Sequence, residues 1–263
     1  MTREIASHER SPFLFIILVF GLSIPFWVLG ARYRIELLPG LPLGAVMVVC
    51  PIGAALILIA RSSGVGGVVA HLKRSFDSAR IRNKLWYLPI VLLQPAVAVL
   101  SYGVMHMLNM PLPAPRLSLT TALVLFVLFF SSAIGEESGW SGYLIDPLQE
   151  RWGALNASIV LGLVWAVWHL VPLVQVGRAP GWIAGWALGT VATRVLHTWL
   201  YNNTAKSIFG AILFHAMTNL SWQLFPNDGS HYDPRITGLI VTACAVLVVL
   251  GCGARTLSVK ETP

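Results

Sequence analysis

The chain of 263 residues is 56% hydrophobic and only 11% charged, with a net charge of +7 at pH 7 and a mean hydropathy of +0.72. Soluble domains carry about 25% charged residues, so the composition excludes a soluble enzyme and defines a polytopic membrane protein. The positive balance does not mark a nucleic-acid binder, because Lys and Arg stand between apolar runs, where anionic lipid headgroups account for them.

A spanning helix needs about 20 mostly apolar residues. Eight stretches qualify, at roughly 13–31, 41–60, 86–108, 117–135, 155–174, 181–200, 206–224 and 236–253. The expected fold is all-α, one membrane domain over residues 1–263, with about eight transmembrane helices around a buried polar cavity. The first stretch is too long for a signal-peptide core of about 7–15 residues. The charges before it also balance (Arg3 and Arg10 against Glu4 and Glu9), so it reads as a retained span. After the second stretch, Val69, Leu72, Phe76 and Ile81 fall loosely on one helical face among basic residues, as in an amphipathic helix seated at the interface. The fourth to seventh stretches hold the polar residues, as helices lining an interior do. The stretch at 236–253 reads as lipid-facing. Within the sixth, Gly181-x-x-x-Gly185-x-x-x-Gly189 allows close approach of a neighbouring helix of the same bundle.

Smaller signals fit this frame. Trp86, Trp140, Trp152, Trp182 and Trp199 recur near segment ends, as an interfacial belt would. Cys50, Cys244 and Cys252 form no C-x-x-C pair, which argues against a disulfide framework and a thiolate metal site. The C-terminal Lys260-Glu261-Thr262-Pro263 carries no lipidation motif. Lys and Arg concentrate in the two tails and in the second, fourth and sixth loops. The second loop alone holds Arg61, Lys73, Arg74, Arg80, Arg82 and Lys84. By the positive-inside rule both termini are therefore cytoplasmic.

Chemistry enters with Glu136 and Glu137, set side by side where the fourth span ends. An ionisable group in the bilayer costs roughly 2.5–3.5 kcal/mol even on the lenient insertion scale, so it faces a protein interior or a water-filled cavity. Neighbouring helical residues point about 100° apart, so one carboxylate can face a cavity while the other is held structurally. The bland alternative is that both mark the headgroup level. Trp165 and His169 share a helix face at i and i+4, and Pro172 favours a break just past the histidine. His215 and Asn219, again i and i+4, offer a ring N–H and an amide suited to an oxyanion, or equally to helix–helix hydrogen bonding. Arg194 and His197, on the sixth stretch, could line the same cavity or orient Glu137. His106 reads as interfacial, and His8, His71 and His231 as solvated loop residues. Neither H-E-x-x-H nor G-x-S-x-G is present.

The order Glu136-Glu137-Ser-Gly-Trp140-Ser141, then Trp165-Ala-Val-Trp168-His169, then His215-x-x-x-Asn219 resembles the CPBP family. These are the CAAX-processing and bacteriocin-processing intramembrane proteases, also called Abi, with motifs E-E-x-x-x-R, F-x-x-x-H and H-x-x-x-N. The resemblance covers about residues 120–222. It implies an intramembrane endopeptidase with a cavity open to the cytoplasmic side, acting on a peptide or protein substrate that could be prenylated. Glu136 and His169 would activate water, and His215 with Asn219 would hold the oxyanion. Glu136, His169 and His215 could also supply the three protein ligands of a zinc ion. Trp199-Leu-Tyr-Asn-Asn203-Thr204-Ala-Lys-Ser207 resembles bacterial members, which implies a bacterial plasma membrane.

Two positions depart from the pattern. Trp165 stands for Phe, and Ser141 stands for the motif Arg, which leaves Glu137 without its ionic partner unless Arg194 or Arg151 substitutes. The lost Arg supports a rival reading, a catalytically silent member serving as a membrane interaction or immunity protein. A small transporter with a proton relay is a further rival, weakened by the lack of an inverted repeat.

Overall fold

The computed structural model describes residues 10–259. Arg3, Glu4, His8, Glu9 and residues 260–263 lie outside the described residues, as do the expectations placed on them. Eight α-helices run through the described chain: α1 Pro12–Tyr33, α2 Cys50–Arg74, α3 Tyr87–Met107, α4 Leu119–Gly139, α5 Ile145–Gln175, α6 Pro180–Asn203, α7 Ile208–Gln223 and α8 Pro234–Cys252. Each coincides with one expected stretch, and the all-α polytopic fold follows. A two-stranded antiparallel hairpin, β1 Glu36–Leu38 and β2 Leu41–Pro42, links α1 to a 3-10 turn at Leu43–Val49 that leads into α2.

Five helical stretches among the described residues are long and apolar enough to cross a membrane: Pro12–Tyr33, Leu43–Arg74, Lys84–Met107, Leu119–Gln175 and Pro234–Cys252. The fourth of them is one 57-residue run, because α4 passes into α5 through a π-turn at Trp140–Leu144. Helices α6 and α7 are outside this set. The latter has only 16 residues, and both carry polar groups that burial inside the bundle, not lipid, accommodates.

Local chemistry sets the ends of these helices. Ser11, Ser118 and Ser207 accept backbone N–H bonds at the starts of α1, α4 and α7, and Asp233 does so for α8. Such caps satisfy N–H groups that the helix itself cannot. Asp77 adds to the start of α7: it accepts from the Ser207 hydroxyl at 2.7 Å and from Phe209 N–H at 3.2 Å. Proline 172 does not break α5, which continues to Gln175. The non-helical residues are glycines instead, Gly153 in α5 (φ 73°) and Gly64 in α2 (φ 63°), both in the left-handed region that costs glycine little.

Around the bundle α1 packs on α2, α2 on α4, α4 on α7, α7 on α3, α3 on α8, α8 on α6, α6 on α5, and α5 back on α1. The π-turn touches α2, α4, α5 and α7. Its Trp140 is wholly buried and meets Phe15 and Trp168 edge-on, so it belongs to the core and not to an interfacial belt. The approach of α2 to α4 depends on Gly135 and Gly139: a Cβ there would meet the Val48 carbonyl at 2.5 Å and Pro51 at 2.6 Å. On α6, Gly185 and Gly189 lie against Arg235 and Gly238 of α8, while Gly181 meets open space. The small-residue stripe thus serves packing within the chain.

The loop between α2 and α3 splits. Val69, Leu72 and Phe76 are exposed, but Ile81 is fully buried in the core formed with α3, α6 and α8. His71, expected in solvent, is buried with its Nε2 2.9 Å from the Ser138 carbonyl.

Candidate active site

Helices α4 to α7 bring the motif residues together. Glu137 is wholly buried, and four groups converge on it. Arg194 of α6 grips it bidentately, Nη1 to Oε2 at 2.9 Å and Nη2 to Oε1 at 2.7 Å. Ser141 donates its hydroxyl to Oε2 in a short hydrogen bond, and His215 Nδ1 lies 2.8 Å from Oε1. His197 Nε2 stands 3.9 Å away, with Nδ1 on the Thr193 carbonyl. The place vacated by the motif Arg is therefore filled from another helix, by Arg194 and not by the exposed Arg151. A bidentate Arg fork suits a buried carboxylate, because it supplies charge and two directed donors at once.

Glu136 is arranged differently. Its Oε2 accepts from the Trp165 indole N–H at 2.6 Å, and its Oε1 lies 3.8 Å from His215 Nε2. Trp165 is the hub of the site: the Arg194 guanidinium carbon sits 4.2 Å above its ring, and the rings of His169 and His215 meet it edge-on at 4.8 and 5.4 Å. His169 Nδ1 is 2.9 Å from the Trp165 carbonyl. A ring that donates there from Nδ1 keeps its Nε2 lone pair for another partner.

Glu136, Trp165, His169, His215 and Asn219 all line one cavity of about 520 Å³, whereas Glu137 and Arg194 lie behind its wall. The Asn219 amide makes no hydrogen bond to the described residues and borders this space. From Glu136 the cavity runs past Trp186 toward the hairpin, Arg178 and Tyr232, at the end of the bundle that carries the α1–α2, α5–α6 and α7–α8 connections. The other end is tied together: Arg10 bonds the carbonyls of Gly142 and Tyr143, Arg74 that of Lys206, and Asn203 that of Leu257. The cavity thus points away from the tails. Cytoplasmic tails and a cytoplasmic cavity, both expected above, do not hold together.

A Glu/His/His group does exist, but its members are Glu137, His197 and His215, whose ligand atoms lie within 4.8 Å of one another. The expected zinc set, Glu136, His169 and His215, is not the set so gathered. Both Glu137 oxygens are engaged by Arg194, Ser141 and His215, so a metal ion there would have to share the carboxylate with a guanidinium cation. These donors do not fit a metal ion: the group already holds its cation.

Fold and site together define a helical membrane protein whose buried carboxylate–histidine cluster faces an internal cavity. Residues 117–221 match the family model of Rce1-like type II CAAX prenyl endopeptidases. The chain is similar to CAAX prenyl protease 2 of Methanococcus maripaludis, at 29% identity over 280 residues covering 93% of this chain and 96% of that protein. Both findings support the CPBP family, and with it a protease.

Proposed function

We propose that the protein is an intramembrane endopeptidase in which Glu136, assisted by His169, activates a water molecule against a peptide bond held in the cavity. The observation that carries this reading is the placement of Glu136, His169, His215 and Asn219 on one cavity wall from three helices. The water would give its hydrogens to Glu136 Oε1 and His169 Nε2, and Glu136 would take the proton as the oxygen attacks. His215, oriented by Glu137 through Nδ1, presents Nε2 to the cavity. In its imidazolium form that nitrogen donates to the developing oxyanion, beside the Asn219 amide. A carboxylate that orients and stabilises an imidazolium in this way is a recurrent device. The Arg194–Glu137 pair removes the main support for a silent protein, since the ionic partner lost at Ser141 is supplied elsewhere. The substrate class suggested by the relative's name is a prenylated CAAX-type peptide. A plasma-membrane location with cytoplasmic tails goes with the basic loops.

The test is cleavage of a fluorogenic membrane peptide by purified protein. Glu136→Gln and His169→Ala each lower kcat by about 10²–10⁴-fold, and Asn219→Ala by about 10²–10³-fold, without loss of folded protein. Chelator leaves the wild-type rate unchanged. Loss of activity on chelation, restored by zinc, would replace the glutamate mechanism with a metal-dependent one.

A further inference from the structure

Arg178 lies in the turn after α5 and lines the end of the cavity remote from Glu136. It has no ion-pair partner among the described residues. Of the acids at this end of the bundle, Asp233 is held by Arg235 at 2.6 Å, and Glu36 accepts from the Gly40 N–H. Its Nε is buried and makes no hydrogen bond, and its guanidinium carbon sits 4.6 Å above the Trp182 ring. Gly40, at φ 75°, leaves the room for it: a Cβ there would come 2.6 Å from Nη2. A stacked guanidinium with a buried N–H lacking an acceptor is costly unless an oxyanion completes it, and its planar fork matches a carboxylate bidentately.

The spacing says which oxyanion. The six residues of α5 from His169 to Gln175 rise about 9 Å, so Arg178 stands about 10 Å from the His169 level. An extended peptide covers about 3.3–3.6 Å per residue, which makes that gap roughly three residues. The walls between, Leu173, Trp186 and Val241 among them, are apolar. We propose that Arg178 binds the free C-terminal carboxylate of the peptide in the cavity and so sets the cleavage point a few residues before the chain end. This rests on the endopeptidase reading of the site.

The experiment compares two fluorogenic membrane peptides that differ only in a free-acid or amide C-terminus, with purified full-length protein in detergent. Wild type prefers the acid by about 10- to 100-fold in kcat/KM, chiefly through KM, as expected for a charge-assisted hydrogen-bonded pair. Arg178→Gln abolishes the preference and Arg178→Lys retains part of it. Binding of both peptides to Glu136→Gln, read by tryptophan fluorescence, reports the same selectivity without turnover. Equal handling of acid and amide by wild type overturns the proposal. Acid-selective, Arg178-dependent binding with no cleavage by wild type keeps it and refutes the endopeptidase reading instead. An Arg178 dependence that vanishes in phosphatidylglycerol vesicles assigns the guanidinium to a lipid phosphate and overturns the peptide assignment.

Discussion

Glu136 and Glu137 are neighbours in sequence with opposite environments. Glu136 touches the cavity and has one strong donor, whereas Glu137 is saturated by donors and shut away from it. That split was legible as a helical phase difference. What occupies each side was not, because Arg194 lies 57 residues from Glu137 and no local spacing links them. Removing one partner of a buried ion pair costs about 3–5 kcal/mol, since the other charge is left uncompensated. Arg194→Met should therefore lower thermal stability in detergent sharply, and adding Glu137→Gln should recover much of the loss. Additive losses in that double-mutant cycle would show that the pair is not coupled. Ser141 carried a signal that was readable only in part: it announced a missing Arg, but not that its own hydroxyl would serve the same carboxylate.

At the scale of the elements, hydropathy located all eight helices, because span length is imposed by bilayer thickness. It did not locate the interruptions. Pro172 is the conspicuous breaker in sequence yet lies inside α5, whereas the non-helical backbone falls at Gly64 and Gly153. Nor did composition separate a belt tryptophan from a core one: Trp140 ends a span in sequence and fills the centre in space. Helix contacts give a graded test. Gly139→Ala forces a methyl against Pro51 backbone and should destabilise by about 1–3 kcal/mol, the usual cost of overpacking. Gly181→Ala, in open space, should be silent in the same thermal unfolding series. Equal effects at the two positions would refute the close α2–α4 approach as the cause.

For the whole molecule, the two ends of the bundle differ in kind. One gathers the tails and the basic loops through side-chain to backbone bonds; the other frames the cavity with the hairpin and the turns after α5 and α7. Single cysteines at Arg80 and Asn227, residues on opposite ends, should therefore react with an impermeant maleimide from opposite sides of sealed vesicles. Labelling of both from one side would overturn this arrangement. The basic end was legible from loop charge. The direction of the cavity was not, since it depends on where helices diverge, and hydropathy is blind to that.

The π-turn at Trp140–Leu144 has a consequence for how this chain tolerates change in length. A π-turn accommodates one residue more than the α-helical repeat at the same place. Deleting a residue between Trp140 and Leu144 would close the run into continuous α-helix, not sever it. Everything beyond would then arrive about 100° out of phase, with Trp165 and His169 turned away from Glu136. The chain would keep its helices and lose the alignment of its motifs. Single-residue insertions and deletions should accordingly be purged at this turn far more strictly than in the connections on either side of the bundle.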